Sequence, residues 1–137
     1  MNPGMASSDI LLYEYSVIRC VPRVDREEFV NVGLIMMCKR RKWLRAEIEI
    51  NPYKLEALDP YINLTKIENQ TSFFNRKDVP AEDLPVEEKY RWLSAVKSAM
   101  IQTSPSHPGL VKQTEKESSP EKILEKEFSR LFKELVL

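Results

Sequence analysis

The chain has 137 residues, and its 21 basic and 21 acidic side chains leave a formal net charge of zero at pH 7. That balance removes the overall basic field that is typical of dedicated nucleic-acid-binding proteins. Hydrophobic residues make up 42% and charged residues 31%, a composition of folded globular proteins rather than of disordered or fibrous ones. We therefore expect a single domain over residues 11–137, preceded by a flexible N-terminus over residues 1–10.

The N-terminus and the cysteine count bear on location and metal binding. No basic start is followed by an apolar run, and no segment reaches the roughly eighteen apolar residues of a membrane-spanning helix. We expect a cytoplasmic protein that makes no membrane contact. Cys20 and Cys38 are expected to be reduced, partly buried thiols. With His107 as the one histidine they cannot supply a Cys/His zinc site, so we expect no metal and no cofactor, although the count leaves a carboxylate site open.

Three strands are predicted in the first fifty residues or so. Residues 11–21 are rich in Tyr, Val and Ile and are stopped by Pro22, which cannot donate to a ladder. Residues 31–39 are apolar on both faces, which predicts a central strand, and Gly33 within them indicates a bulge or a close backbone approach. Residues 43–50 alternate between apolar and polar, which predicts one buried face and one wet face. The short connection between the last two strands predicts an antiparallel hairpin.

The apolar period then changes to that of helices. Asn51 and Asp59 each precede a proline, which places a capping side chain before a favoured first helical position and predicts two helix starts. Residues 78–85 have the composition of a loop, and a third helix is expected from Pro85. Ser119 is predicted to cap a last helix with a wide apolar stripe.

Residues 99–103 predict a fourth short strand. Residues 104–109 are predicted to be a loop, because their two prolines and one glycine interrupt regular structure, and residues 111–118 are predicted to be a polar linker. Three strands, then helices, one strand and a final helix predict an α+β domain. Its expected form is an antiparallel sheet of about four strands with helices packed on one face.

Arg19 is the first candidate for a functional side chain, because it lies in an apolar strand next to a charged turn. That turn contains Asp25, Glu27 and Glu28. A guanidinium holds a carboxylate or phosphate with two parallel hydrogen bonds, so Arg19 is able to clamp such a group. The alternative is an ion pair with Glu28 on a partly solvated sheet face. Asn31 has two interpretations as well: it either bonds its own backbone beside the turn or presents an amide to a ligand.

A compact basic patch occupies residues 39–42, with Trp43 beside it. Arg40 and Arg41 next to an aromatic ring form the combination that single-stranded nucleic acid uses for phosphate contact and base stacking. The same pattern is typical of a solvated hairpin tip. Because the chain has no net charge, nucleic-acid binding is the less favoured interpretation.

His107 lies close to Ser104 and Ser106, which invites a serine–histidine catalytic interpretation. Residues so near one another in a proline-bounded loop rarely reach nucleophile-to-base geometry, and no GxSxG motif is present. A structural loop histidine is therefore favoured. The sequence also lacks GxGxxG, GxxxxGK[ST] and HExxH motifs, which leaves nucleotide binding and zinc-protease activity without support.

Four segments of the chain together resemble a bacterial family. They are Tyr15-Ser-Val-Ile-Arg19 with Val21-Pro22, Glu28-Phe-Val-Asn-Val-Gly-Leu34, Gln102-Thr-Ser-Pro-Ser-His-Pro-Gly-Leu110 and Leu131-Phe-Lys-Glu-Leu-Val136. The family is the one numbered three thousand and thirty-seven among the domains of unknown function, and the resemblance covers residues 13–136. It implies no established activity, cofactor or substrate. It implies an accessory or partner role beside kinases similar to the HipA toxin.

The resemblance selects motif positions in two distant segments, and a common site would require the fourth strand to lie beside the first or the second. The positions are Arg19, Glu28, Asn31, Gly33, Ser104, Pro105, His107 and Gly109. The family pattern often has a glycine where this chain has Glu27. If that glycine serves a positive backbone angle, the turn here must be built differently.

Two functional hypotheses follow. The leading one is a non-enzymatic interaction protein, a partner of a HipA-like kinase, with the charged turn and the His107 loop as its contact surface. The alternative is a small enzyme with Arg19, Glu28, Asn31 and His107 around one pocket, because acid–base chemistry needs such convergence.

Overall fold

Five antiparallel strands and four α-helices form the described part of the chain. The computed structural model describes residues 10–75, 83–95, 97–114 and 119–137. The strands are β1 (Ile10–Cys20), β2 (Val30–Cys38), β3 (Trp43–Ile48), β4 (Ile101–Thr103) and β5 (His107–Lys112). The helices are α1 (Pro52–Leu58), α2 (Leu64–Thr71), α3 (Val86–Ser94) and α4 (Pro120–Leu135). A 3₁₀ segment, Ser72–Asn75, continues α2.

β1 lies in the middle of the sheet. β2 pairs with one edge of β1, and β3 pairs with β2, so the predicted antiparallel hairpin is confirmed. Along the other edge of β1, β4 pairs with the last three residues of the strand and β5 with its first six. The order is therefore β3, β2, β1, with β4 and β5 sharing the last place. The predicted α+β class with an antiparallel sheet is confirmed.

Different helices cover the two faces of the sheet. α4 packs on one face, where Phe128 is buried in a cluster with Val17 and Leu34. α1, α2 and α3 cover the other face, over a cluster that includes Ile18 and Ile35. We predicted helices on one face only, and here the structure differs. Neighbouring residues of β1 and β2 bury apolar side chains in opposite directions, and either face left bare would forgo roughly 25 cal/mol per Å² of apolar burial.

The second predicted helix start is wrong. Asp59 follows the end of α1, where its N–H donates to the carbonyl of Leu55 at 3.0 Å. Its carboxylate accepts from the N–H of Tyr61 at 3.0 Å, which makes a turn of the following proline segment. Helix α2 begins only after Asn63, whose side chain accepts from the N–H of Lys66 and so provides the N-cap.

The loop predicted over residues 104–109 and the linker predicted over residues 111–118 are wrong in part, because residues 107–112 form β5. The remainder of that linker beyond residue 114 lies outside the described residues. So does most of the loop predicted over residues 78–85, as does the N-terminus before Ile10, which is the first residue of β1.

The position of β5 at the edge of the sheet explains why it tolerates a proline. The N–H and C=O of Val17 both bond to Ser104, so the odd-numbered residues of β1 direct their backbone groups toward this edge. By register, His107 and Gly109 meet such residues, and Pro108 between them faces outward. An outward position needs no N–H for the ladder.

Gly109 lies beneath the ring of Tyr13, its partner on β1. A Cβ on Gly109 would lie 2.3 Å from Cζ and 2.6 Å from the hydroxyl oxygen of that ring. The ring is held in place, because the Tyr13 hydroxyl donates to the Glu127 carboxylate on α4 at 2.5 Å. Arg130 donates to the same carboxylate at 2.7 and 3.0 Å. A glycine is therefore needed where β1, β5 and α4 join.

Replacement of Gly109 by alanine is expected to lower the free energy of unfolding by about 1–3 kcal/mol, because the new methyl group overpacks against the Tyr13 ring. Chemical denaturation measures this loss. In a Tyr13→Val background the same replacement should cost less than half as much, since the ring is gone. An equal cost in both backgrounds would contradict the explanation.

Replacement of Glu127 by glutamine is expected to make stability less dependent on pH in acid. Hydrogen bonds from Arg130 lower the pKa of the Glu127 carboxyl, so its contribution is present above the unfolded pKa of about 4.3 and lost as pH falls through the folded pKa. Glu127→Gln should cost roughly 1–2 kcal/mol at pH 7, a cost that shrinks below about pH 4. Glu134→Gln, which removes the exposed partner of Arg130, is the control and should show little change.

Candidate functional site

The turn between β1 and β2 pairs its charges with one another. Arg23 donates to the Asp25 carboxylate at 2.6 and 3.2 Å, and Arg26 donates to Glu28 at 2.6 Å. The hydrogen bond from Arg23 lowers the pKa of the Asp25 carboxyl. Because Glu28 bonds to Arg26, the ion pair considered for Arg19 and Glu28 is not the one that forms among the described residues.

Arg19 and Asn31 face each other across β1 and β2. The guanidinium carbon of Arg19 lies 4.4 Å from the centroid of the Phe29 ring, a cation–π contact. The Asn31 amide donates to the carbonyl of Leu135 at 2.9 Å and so ties β2 to the last turn of α4. Arg19 Nε and Asn31 Oδ1 are both buried and have no hydrogen-bond partner among the described residues. Asn31 thus serves a third role, which neither interpretation of the sequence included.

Glu27, at the position where the family resemblance implies a glycine, has a φ of 59°, which lies in the left-handed region. Its N–H donates to the carbonyl of Arg23 at 3.2 Å, which closes the turn. A positive backbone angle is therefore present at this position without a glycine. The glutamate itself adopts the left-handed conformation, at a cost of about 1 kcal/mol.

Replacement of Glu27 by glycine is expected to stabilise the chain by roughly 0.5–1 kcal/mol, because glycine adopts a positive φ without the Cβ clash. Thermal or denaturant unfolding measures the gain. Glu27→Ala is the matched control: it removes the same charge but keeps the Cβ, and should give no such gain. A similar gain from both replacements would assign the effect to charge.

Gly33 allows a close approach of backbone between β2 and β3. The register between β1 and β2 shifts opposite Gly33, between Ile18 and Arg19, which marks a bulge. A Cβ on Gly33 would lie 2.6 Å from the carbonyl oxygen of Glu47 on β3 and 3.0 Å from a methyl group of Ile18. The close approach predicted from the sequence is confirmed.

Ser104 joins β4 and β5 to β1 at the break between the two edge strands. Its Oγ accepts from the N–H of Val17 at 2.8 Å, and its own N–H donates to the Val17 carbonyl at 2.8 Å. The same hydroxyl donates to the carbonyl of Pro105 at 3.0 Å. Ser104 is 5% exposed, so its side chain completes the backbone ladder of β1.

His107 is exposed and stacks at an angle on Tyr15, with ring centroids 5.3 Å apart. Tyr15 is its partner in the β1–β5 ladder, whereas Arg19 pairs with Gln102 of β4. β4 therefore lies beside β1, as a common site requires. Arg19 is nevertheless four residues from Tyr15, the partner of His107, along β1. This spacing corresponds to roughly 13 Å for a strand rise of 3.3 Å per residue.

Asn31 lines a cavity of about 320 Å³ with the start of α1 and the end of α4. Arg19, Glu28 and His107 are not among the described residues that line this cavity. The structure thus brings Arg19 and Asn31 together, keeps Glu28 in the exposed turn and places His107 further along β1.

A polar cluster that the sequence did not reveal lies on the face opposite α4. The Tyr90 hydroxyl on α3 is hydrogen-bonded to Ser16 Oγ at 2.9 Å and to Ser106 Oγ at 2.7 Å. Ser106 in turn donates to Glu14 at 3.4 Å. Burial raises the pKa of the Tyr90 hydroxyl. Ser16, a lone serine between apolar residues of β1, was the available signal in the sequence. Its partner, Tyr90, lies too far away along the chain for the contact to be inferred.

The basic patch lies at the tip of the β2–β3 hairpin, where Arg40 and Arg41 are exposed. Trp43 is partly buried against the α4 cluster, and its indole N–H donates to Glu125 on α4 at 3.1 Å. Arg45 lies over the Phe128 ring at 4.3 Å, so α4 also contacts the face of β3 that was predicted to be wet. The Trp43 ring, which was expected to stack on bases, therefore packs against the core.

The described residues contain no group of three or more His, Cys, Asp or Glu side chains placed to hold a metal ion. Within these same segments no helix combines the length and apolarity needed to cross a membrane. Cys20 and Cys38 are unpaired thiols, both buried, and burial raises the pKa of Cys20 to about 11.

Fold and motif together define an α+β domain in which the side chains of Asn31 and Ser104 tie secondary-structure elements together. The chain belongs to the family described as "Protein of unknown function (DUF3037)", whose model matches residues 15–136. The family resemblance of the sequence is thereby confirmed. Neither the curated proteins nor the solved structures gave a match.

Proposed function

We propose that this chain is a non-enzymatic interaction protein whose contact surface includes the β1–β2 turn and His107. The observation that supports this proposal is that several motif residues serve to hold the fold together. Asn31 bonds α4, Ser104 bonds β1, and Gly33 and Gly109 admit neighbouring atoms. Acid–base catalysis needs its groups within hydrogen-bond reach of one cavity, and the distance from Arg19 to His107 along β1 favours interaction over catalysis.

The turn presents apolar side chains that a folded monomer gains nothing by exposing. Val24 is 49% exposed and Phe29 is 48% exposed. Phe29 carries the Arg19 guanidinium on its ring, and aromatic and arginine side chains are enriched at protein interfaces. Arg19 and Tyr15 lie on the same face of β1 because they are separated by an even number of residues, so His107 on Tyr15 extends that surface. The partner we propose is a HipA-like kinase, which the family resemblance implies.

Co-purification of the tagged chain with a HipA-like kinase, where the genome encodes one beside its gene, tests this function. We expect a complex that Phe29→Ser combined with His107→Ala weakens by about tenfold or more, as for interface hot spots. Tyr61→Ser is the matched control, because Tyr61 is 94% exposed and lies between α1 and α2. The absence of both a stable complex and a chemically cross-linked one would contradict the proposal.

A further inference from the structure

Two exposed leucines lie side by side at the edge of the sheet, near the start of β1. Leu12 is 66% exposed and Leu110 is 57% exposed, and the two are partners across β1 and β5. They lie on the sheet face opposite α4, because Tyr13, the next residue of β1, reaches α4. In a single copy of the chain, more than half of each leucine is therefore left in water.

The outer edge of β5 carries unused backbone groups beside these leucines. Among the described residues no strand pairs with that edge. By the alternation that turns Pro108 outward, Leu110 and Lys112 direct both their N–H and C=O groups away from β1. An unpaired strand edge is a template for pairing with another chain. The side chains that flank the edge decide which chain pairs there.

A second copy of the chain fits this edge when the two β5 strands run antiparallel about a two-fold axis at Leu110. Leu110 then lies opposite its own copy, and each Leu110 has Leu12 on its other side, so the leucines of both copies form one row. Leu110 exchanges hydrogen bonds with its copy, and the N–H of Lys112 donates to the carbonyl of the other copy's Pro108. The ladder ends there, because Pro108 has no N–H to donate in return.

The same register places opposite charges within reach of each other. Lys112 and Glu14 are both exposed, and both lie on the face that carries the leucines. Glu14 is the partner of Pro108 on β1, so the row from Lys112 across the other copy's Pro108 continues to the other copy's Glu14. Their Cα atoms would lie about 9.5 Å apart, two strand spacings, which extended lysine and glutamate side chains span. The two-fold axis repeats this ion pair on the other side of the leucines.

We infer that the chain forms a symmetric dimer in which the outer edges of two β5 strands pair about Leu110 and join the two sheets into one. The leucine row provides the buried apolar surface, and the ion pairs of Lys112 with Glu14 fix the register. This dimer goes beyond the proposed interaction function and uses a different surface. Leu12 and Leu110 lie on the sheet face opposite Tyr15 and His107, and the β1–β2 turn follows the far end of β1.

Sedimentation velocity on the full chain over a range of concentrations tests the dimer. We expect a concentration-dependent dimer whose dissociation constant rises at least about tenfold in Leu12→Ser combined with Leu110→Ser. Leu137→Ser is the matched control, because it makes the same replacement at a position that is 64% exposed and away from β5. It should leave the dissociation constant unchanged.

An exchange of charges tests the register. Lys112→Glu should raise the dissociation constant about fivefold or more, because it sets two carboxylates against each other on both sides of the axis. Lys112→Glu combined with Glu14→Lys should return the constant to within about twofold of its original value. Lys39→Glu is the control with the same change in net charge, and it should have little effect because Lys39 follows β2, away from the paired edges.

A monomer at every concentration, a dimer that the leucine replacements leave intact, or a charge exchange that does not restore association would overturn the inference. Co-purification with the kinase reports on Phe29 and His107 separately. A kinase complex formed by a monomeric chain contradicts this inference alone, whereas a dimer without a kinase complex contradicts only the proposed function.

Discussion

The backbone of β1 must find partners along both edges, because helices cover the sheet on both faces and an unpaired buried peptide group is costly. One edge is satisfied by a single strand, β2. The other is divided between β4 and β5, which leaves a break opposite Val17. Ser104 closes that break with its own hydroxyl and N–H. The path of the chain from β4 to β5 depends on this pair of hydrogen bonds.

The two halves of the family motif meet through β1 rather than around a cavity. Asn31 and Gly33 belong to the β2 edge, whereas Ser104 and Gly109 belong to the opposite one. Each of the four residues meets one requirement of close packing. Asn31 bonds a carbonyl at the end of α4, and Ser104 accepts the N–H of Val17. Gly33 leaves room for a neighbouring backbone, and Gly109 leaves room for a ring. A pattern of this kind specifies how a sheet is assembled.

Much of this fold could be predicted from local sequence, and the exceptions have physical reasons. Alternation and capping are local properties, so the β2–β3 hairpin, the start of α1 and the whole of α4 were predictable. β5 was not, because Pro108 is acceptable only at an outer edge and the sequence does not say which edge is outer. The positive φ of Glu27 contradicts local preference, and the bond between Tyr13 and Glu127 joins residues at opposite ends of the chain. At the site, exposure of His107 and capture of Asn31 by α4 depend on tertiary contacts.

Pro108 also limits how far this sheet is able to grow. An exposed strand edge is a template on which other chains polymerise, and a residue that cannot donate interrupts any ladder that reaches it. The outward-facing backbone of β5 therefore does not propagate an extended, fibre-like sheet along its whole length. Pro108, which makes β5 look like a loop in the sequence, thus protects the folded chain against aggregation.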